Sequence, residues 1–260
     1  MAMFGFDGFT TPQILIVGVI LIAGGGVHGL LGFGFPLLAT PLIAMLFDVR
    51  SAMLILLIPT MVINIASIAE GGRWRFSIGP FWPLALCVAV GSVGGTRLLI
   101  GSDPAPYKLL LAAVLLFYLG IQQRGLRMPW IRTHPLPAML VFGLLAGFLA
   151  GTVNAAVPAL IIYALELGLA PLVTVQVFNF CFLTGKLAQA FTFGAAGLLT
   201  GRIILMTLPA ALLALAGLWA GARLRSRVRT DTYRRWLRRT LLVIAIFLMI
   251  QYGTGVWQAY

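Results

Sequence analysis

The order of apolar and polar residues along the chain predicts a series of membrane-spanning helices. A helix needs about 20 predominantly apolar residues to cross the hydrocarbon core. Five stretches meet this length: 51–70, 80–100, 172–193, 202–222 and 233–252. A sixth, 106–121, is slightly shorter and carries no charge after Lys108. The pattern predicts an all-α polytopic membrane protein.

Two further apolar regions, 12–47 and 137–168, are interrupted by residues that break helices. The first break is Gly32-Phe-Gly-Phe-Pro36, and the second runs from Gly151 to Pro158 through Asn154. Proline suits the first turn of a helix, so Pro36 and Pro158 each predict a helix start. The apolar residues that follow make a helix only half a membrane long. Each region is therefore expected to be a broken or re-entrant helix pair, and the pattern fits two short tilted helices as well as a hairpin.

Several features recur at a spacing close to 125 residues. Pro36 and Pro158 are 122 residues apart, and Pro83 and Pro209 are 126 apart. The chain is therefore interpreted as a duplication, with a first repeat at 1–121, a basic linker at 122–136 and a second repeat at 137–260. A long repeat built from membrane helices is typical of transporters.

The positions of lysine and arginine predict the relative orientation of the repeats. If each broken region makes one net crossing, the repeats are parallel and five arginines lie outside. If it makes zero or two, the basic segments 71–77, 122–136 and 223–239 share one side and hold 13 of the 18 basic residues. The positive-inside rule favours the second arrangement. We therefore expect two inverted repeats, each with a broken or re-entrant pair plus three spanning helices, and both termini in the periplasm.

Composition excludes the soluble classes of protein. The chain is 61% apolar and 9% charged, against about 45–50% and about 25% in soluble domains. The net charge of +12 is expected to set topology and to contact anionic lipids at the basic loops, so no nucleic-acid partner is expected. Two cysteines inside apolar runs and two histidines indicate no metal site and no cofactor. The N-terminal residues lack the basic stretch of a cleaved signal, so the first apolar segment is expected to be retained.

The two breaks are the first candidate for a binding site. A helix N-terminus carries free N–H groups and partial positive charge, which together favour an anion. The alternative is close helix packing through small residues. The candidate ligand-binding residues here are Gly32, Gly34, Pro36, Asn154 and Pro158.

A polar stripe inside an apolar span is the second candidate. Lys186 lies well away from either end of 172–193 and shares a helix face with Gln176 and Asn179. The equivalent face of the first half carries Thr60, Asn64 and Ser67. A cation at membrane depth is costly and marks a functional site by default, so Lys186 is predicted to balance the charge of an anion. The alternative is snorkelling with helix–helix hydrogen bonds.

Three titratable residues are candidates for coupling transport to proton movement, namely His28, Glu70 and Glu166. His28 lies near the first break, where a packing role is the alternative. Glu70 and Glu166 lie near span ends, where anchoring at the membrane interface is the alternative.

The chain resembles the TauE/SafE sulfite exporter family. The resemblance lies in Gly29-Leu-Leu-Gly-Phe-Gly-Phe-Pro-Leu-Leu38, in the equivalent break before Pro158, and in the basic turn Gly71-Gly-Arg-Trp-Arg75. In the second half, Asn154-Ala-Ala stands where the first half has glycines. The resemblance implies transport of sulfite, sulfonates or sulfoacetate and a location in the bacterial inner membrane.

The sequence thus predicts a secondary transporter of a small anion, and the resemblance makes that anion an organosulfur oxyanion. The anion would bind at the membrane midplane between the half-helix N-termini, with alternating access. No phosphate-binding loop for ATP is present. The alternatives are a membrane-embedded enzyme, for which the acids and histidines are too few, and a non-transporting assembly protein. The sequence leaves the oligomeric state open, a homo-oligomer included.

Overall fold

The computed structural model describes residues 10–72, 77–124, 128–225 and 230–258. Helices account for nearly all of these residues, with a single 3-10 turn at Gly79–Phe81. In chain order the first five helices are α1 (Thr11–Leu31), α2 (Phe35–Leu46), α3 (Val49–Gly71), α4 (Trp82–Gly101) and α5 (Pro106–Arg124). The remaining six are α6 (Trp130–Thr133), α7 (Pro135–Val153), α8 (Val157–Leu167), α9 (Pro171–Ala195), α10 (Gly201–Leu224) and α11 (Thr230–Gln258).

Among the described residues, six apolar segments are long enough to cross a membrane. They correspond to α1, α3, α4 with its preceding turn, α7, α9 and α10. The all-α polytopic membrane fold predicted from the sequence is therefore confirmed. Helix α5 continues three residues past the predicted repeat boundary at 121, into the polar residues 122–124. Helix α7 begins two residues before 137, at Pro135, because proline suits the first turn of a helix. Residues 73–76, 125–127 and 226–229 of the predicted basic segments, and both chain ends, lie outside the described residues.

The two predicted breaks separate a full-length helix from a half-length one. Helix α1 has 21 residues, whereas α2 has 12; likewise α7 has 19 and α8 has 11. At 1.5 Å per residue the two short helices are about 18 and about 17 Å long, little more than half of the hydrocarbon core. The sequence left two forms open for each broken region. In the structure, each region consists of one long helix followed by one short helix.

Residues with a left-handed backbone conformation interrupt the helix at both breaks. Gly32 and Gly34 have φ of 83° and 110°, a region that glycine adopts without steric cost. At the second break Asn154 has φ of 60°, and asparagine tolerates this conformation better than most residues. Pro36 and Pro158 then stand within the first two positions of α2 and α8. The different residues of the two breaks thus produce the same result.

The helix ends that flank the three basic segments lie at one end of the bundle. The His28 ring of α1 lies 3.0 Å from the Ser67 hydroxyl, near the end of α3. At the end of α10, the Arg225 guanidinium donates to the Gly29 carbonyl of α1 at 2.7 and 3.1 Å. Helices α4 and α7 run in parallel, so α7 begins at the end of the bundle where α3 ends. We call this end the basic end.

Two parallel helix pairs, α1 with α10 and α4 with α7, make backbone-to-backbone contact through glycine. A Cβ at Gly217 or Gly221 of α10 would collide with the carbonyl oxygens of Ile22 or Gly26 in α1. In the other pair, a Cβ at Gly147 of α7 would collide with the Val88 carbonyl of α4. Small residues that let backbones approach closely are a main source of helix association in membranes.

Each of these pairs joins a helix of the first half of the chain to a helix of the second half. The contacts group the helices into two bundles. The first bundle contains α1, α2 and α3 with α10 and α11, and the second contains α7, α8 and α9 with α4 and α5. The bundles meet along a seam formed by α3 against α9 and α5 against α11. Each bundle therefore takes three helices from one half and the last two from the other.

Candidate functional site

A small cavity lies on the seam between the two bundles, where the two half-length helices begin. Its volume is about 20 Å³, enough for about one water molecule. Its lining residues come from both bundles: Pro36, Leu37, Thr60, Ser92, Ala150, Asn154, Ala156, Val157, Phe182, Gly185, Lys186 and Gln189. Thr60 and Lys186 lie close to the midpoints of α3 and α9. The cavity is thus small and central along the helices.

The N-termini of α2 and α8 both border this cavity. Pro36 and Leu37 are in the first turn of α2, and Val157 is the first residue of α8. The first N–H groups of a helix have no partner inside the helix, and the helix dipole adds partial positive charge there. The Asn154 amide donates to the Thr40 hydroxyl of α2 at 2.8 Å, which ties the second break to the first half-helix. The arrangement provides two helix N-termini for a single ligand.

Lys186 brings an amino group, which is positively charged when protonated, to the same cavity. Its side chain is 4% exposed, and its ammonium donates to the Gln189 side-chain oxygen one turn along α9. Gln189 lies 3.4 Å from the Thr96 hydroxyl of α4. Among the described residues no carboxylate pairs with Lys186. A buried cation without a counter-charge is expensive at membrane depth, and an anion in the cavity would offset that cost.

Thr60 contributes an unused hydrogen-bonding group. Its hydroxyl is fully buried and has no hydrogen-bond partner in the described part of the chain. Buried polar groups without partners are uncommon in folded proteins. Together with the ammonium and the helix N-termini, this hydroxyl makes the cavity suited to an oxyanion.

The structure places only some of the sequence-predicted binding residues at this cavity. Pro36, Asn154 and Lys186 line it. Gly34 caps α2 and Pro158 is in the first turn of α8, so these two shape the breaks without lining the cavity. The other four predicted binding residues, Gly32, Asn64, Gln176 and Asn179, are not among its lining residues.

A second group of buried polar residues lies nearer the basic end. We define the His28 cluster as His28, Asn64, Ser67, Gln176 and Asn179. The Asn179 amide donates to the Gly32 carbonyl at 2.8 Å, and the Gln176 amide lies 3.4 Å from the Ser67 carbonyl. The residues predicted from the sequence as one site therefore form two groups.

Of the two candidate glutamates for proton coupling, Glu166 lies away from both groups, and Glu70 lies one turn beyond Ser67 of the second group. The Glu166 carboxylate accepts from the Met128 N–H at 2.6 Å and lies 3.9 Å from the Arg132 guanidinium, so it fastens the linker to the end of α8. Glu70 is exposed and borders a groove with Trp219 and Arg223. These contacts match the anchoring interpretation of both residues.

Gln189 and Ser92 line the cavity, and Thr96 contacts Gln189; none of the three was predicted from the sequence. Gln189 stands one turn from Lys186 on the same helix, and its spacing could have revealed it. Ser92 donates to the Gly185 carbonyl at 2.8 Å, and Thr96 is one turn further along α4. Both lie in a glycine-rich stretch, and such stretches are typical of close helix packing. Among the described residues, no three His, Cys, Asp or Glu side chains lie close enough together to hold a metal ion.

Comparison with known proteins identifies the family. A family model described as Sulfite exporter TauE/SafE matches residues 16–250 of the 260-residue chain. No curated protein matches the chain significantly. No solved structure does so either.

Proposed function

The chain belongs to the sulfite exporter TauE/SafE family, and we propose that it carries a small organosulfur oxyanion across the bacterial inner membrane. Membership makes it a membrane anion transporter rather than an enzyme. The substrate class that we propose is sulfite, a sulfonate or sulfoacetate. These anions share a compact group of sulfur-bound oxygens that can accept several hydrogen bonds at once.

The observation that carries this proposal is that Lys186, which has no carboxylate partner among the described residues, lines the cavity where both half-helices begin. Lys186, the Thr60 hydroxyl and the N-termini of α2 and α8 all border one cavity. Each of these groups favours negative charge or donates a hydrogen bond. Discontinuous helices whose N-termini point at an anionic group are a recurring design in secondary transporters.

Transport requires the cavity to open to each side of the membrane in turn. A space of about 20 Å³ holds about one water molecule, so the cavity would have to widen before it could hold the proposed anion. Because the cavity lies on the seam, rocking of the two bundles would widen it from one end at a time. The moving units that we propose are the bundles, each of which combines helices from both halves of the chain.

Polar contacts cross the seam on either side of the cavity. At the end opposite the basic end, the Arg50 guanidinium of α3 donates to the Leu99 and Ser102 carbonyls at 2.7 and 2.6 Å. Towards the basic end, Asn179 donates to Gly32 and Gln176 approaches Ser67. Opening at either end would break the contacts at that end and leave the others in place.

We propose that the basic end faces the cytoplasm, with both chain termini in the periplasm and anionic lipids at the basic loops. The positive-inside rule supports this orientation, because the helix ends that flank the three basic segments lie together. The same arrangement supports inverted repeats, because equivalent helices of the two halves then cross the membrane in opposite directions.

Cysteine labelling tests the topology. Single cysteines at positions 74 and 128, in a background with Cys87→Ala and Cys181→Ala, should both react with a membrane-impermeant maleimide from the cytoplasmic side only. A cysteine at exposed Asp103, just past the end of α4, should react from the periplasmic side. Labelling of positions 74 and 128 from opposite sides would contradict the proposed inverted arrangement.

Flux in proteoliposomes tests the function. Vesicles loaded with unlabelled sulfite should accumulate labelled sulfite by exchange when they contain the purified protein, and protein-free vesicles should not. Absence of exchange with sulfite, sulfonates and sulfoacetate would contradict the proposed substrate class. If these anions bound without being exchanged, a non-transporting assembly role would be favoured instead.

A further inference from the structure

The His28 cluster lies between the central cavity and the basic end. Asn64 is one turn from Thr60 on α3, and Asn179 is two turns from Lys186 on α9. His28, Asn64 and Asn179 are completely buried, and Ser67 and Gln176 are nearly so. An anion that left the cavity along α3 and α9 towards the basic end would meet this cluster next.

Three polar atoms of the cluster are buried without a hydrogen-bond partner among the described residues. They are both amide atoms of Asn64 and Oε1 of Gln176, whereas the side chains of His28 and Asn179 interact with each other. Buried polar atoms are nearly always paired, and leaving each one unpaired costs free energy. Because the set contains both donors and acceptors, a hydrated ligand could satisfy it.

The charges around the cluster favour an anion. Arg225 bonds to the carbonyl of Gly29, the residue after His28, and Lys186 stands on the cavity side. Glu70, one turn beyond Ser67, is exposed in the groove that it shares with Arg223. A basic side chain thus lies on each side of the cluster: Lys186 towards the central cavity and Arg225 towards the basic end.

The contacts across the seam link the cluster to opening. Asn179 and Gln176 belong to α9 in the second bundle, whereas their acceptors, Gly32 and Ser67, belong to the first bundle. When the seam parts at the basic end, both amides lose these acceptors. Their N–H groups then become free to donate to a ligand that moves between the bundles.

We propose that the His28 cluster is a second, transient binding position for the transported oxyanion and its hydration water, between the central cavity and the basic end. This inference rests on the proposed transport function and deepens it. The central cavity sets the equilibrium affinity, and the cluster lowers the barrier for passage between that cavity and the basic end.

The variant Asn64→Leu tests the proposal, because leucine has nearly the same shape and carries no polar atom. Without anion it should melt at or above the wild-type temperature, since it removes two unpaired buried atoms. Its sulfite-dependent thermal stabilisation should stay within about twofold of wild type, whereas its sulfite exchange rate should fall by about tenfold or more through loss of a hydrogen bond to a charged group. Ser67→Ala, which removes one hydroxyl, should also lower the sulfite exchange rate.

Two control variants separate this inference from the proposed function. Lys186→Met should lose sulfite stabilisation and exchange together, and Thr207→Val, whose hydroxyl bonds within its own helix at 2.9 Å, should change neither. Wild-type exchange rates in Asn64→Leu and Ser67→Ala would show that the cluster holds water only and would overturn the inference. Equal loss of stabilisation and exchange in both variants would also overturn it, because the cluster would then belong to one central site. Absence of exchange in the wild-type protein would instead refute the proposed function.

Discussion

Lys186 is easy to recognise in the sequence, because only 9% of the residues are charged. A lone cation inside an apolar span is conspicuous, and the sequence alone predicts it as a binding residue. The structure places it in a cavity that Pro36 and Asn154 also line. The hydroxyls of Ser92 and Thr96 could not be identified in the same way, because a serine or threonine inside a membrane helix more often bonds to its own backbone.

Asn154 combines two roles whose contributions to stability can be separated. Its backbone is left-handed, and its amide bonds to Thr40 of the other half of the chain. Asn154→Gly keeps the backbone conformation and should lose about 1 kcal/mol for the hydrogen bond. Asn154→Ala should lose about 1 kcal/mol more, because alanine resists positive φ. Melting temperatures in detergent should therefore fall in the order Asn, Gly, Ala, and equal values for Gly and Ala would contradict the role of the backbone.

At the scale of the elements, apolar length and proline position predicted nearly every helix. The half-length helices followed from the few apolar residues between each break and the next polar residue. The sequence could not tell that α1 and α7 are full-length partners of those short helices, because the apolar runs continue across the breaks. It also did not reveal which helices pack together, since a glycine gives no indication of the backbone that approaches it.

The close helix pairs predict opposite effects for one substitution at two glycines. Gly147→Ala places a Cβ against the Val88 carbonyl and should destabilise the protein by about 1–3 kcal/mol, as overpacking does. Gly120→Ala in α5 meets no atom within 4 Å and should stabilise it by about 0.5–1 kcal/mol through helix propensity. Melting temperatures of the two variants should lie on opposite sides of the wild-type value. A neutral Gly147→Ala would contradict the close contact between α4 and α7.

At the scale of the whole molecule, the halves that the sequence predicts differ from the bundles that the contacts define. Recurrence of motifs identifies residues of common origin, and it does not say which residues touch. The last two helices of each half pack with the other half, so neither half is a separate body. The cavity consequently depends on both halves, and a change at the seam affects access to it.

The Arg50 contacts across the seam predict a change in access. In a background with Cys87→Ala and Cys181→Ala, a Thr60→Cys reporter should react slowly with a membrane-impermeant thiol reagent. Arg50→Met removes the bonds to Leu99 and Ser102 and should speed labelling from the end opposite the basic end. Arg97→Met removes an exposed arginine of α4 and serves as the matched control. Equal labelling rates with and without Arg50→Met would contradict the role of these contacts in closing the seam.

The anion site at the central cavity is tested most directly by the melting temperature of the purified protein as sulfite is added. A ligand that binds only the folded state raises this temperature as its concentration rises. The wild-type protein and Lys108→Met, whose lysine bonds to Gln251 outside the cavity at 3.1 Å, should both be stabilised. Lys186→Met should show no sulfite-dependent rise while remaining folded. Wild-type stabilisation of Lys186→Met by sulfite would contradict an anion site at the central cavity.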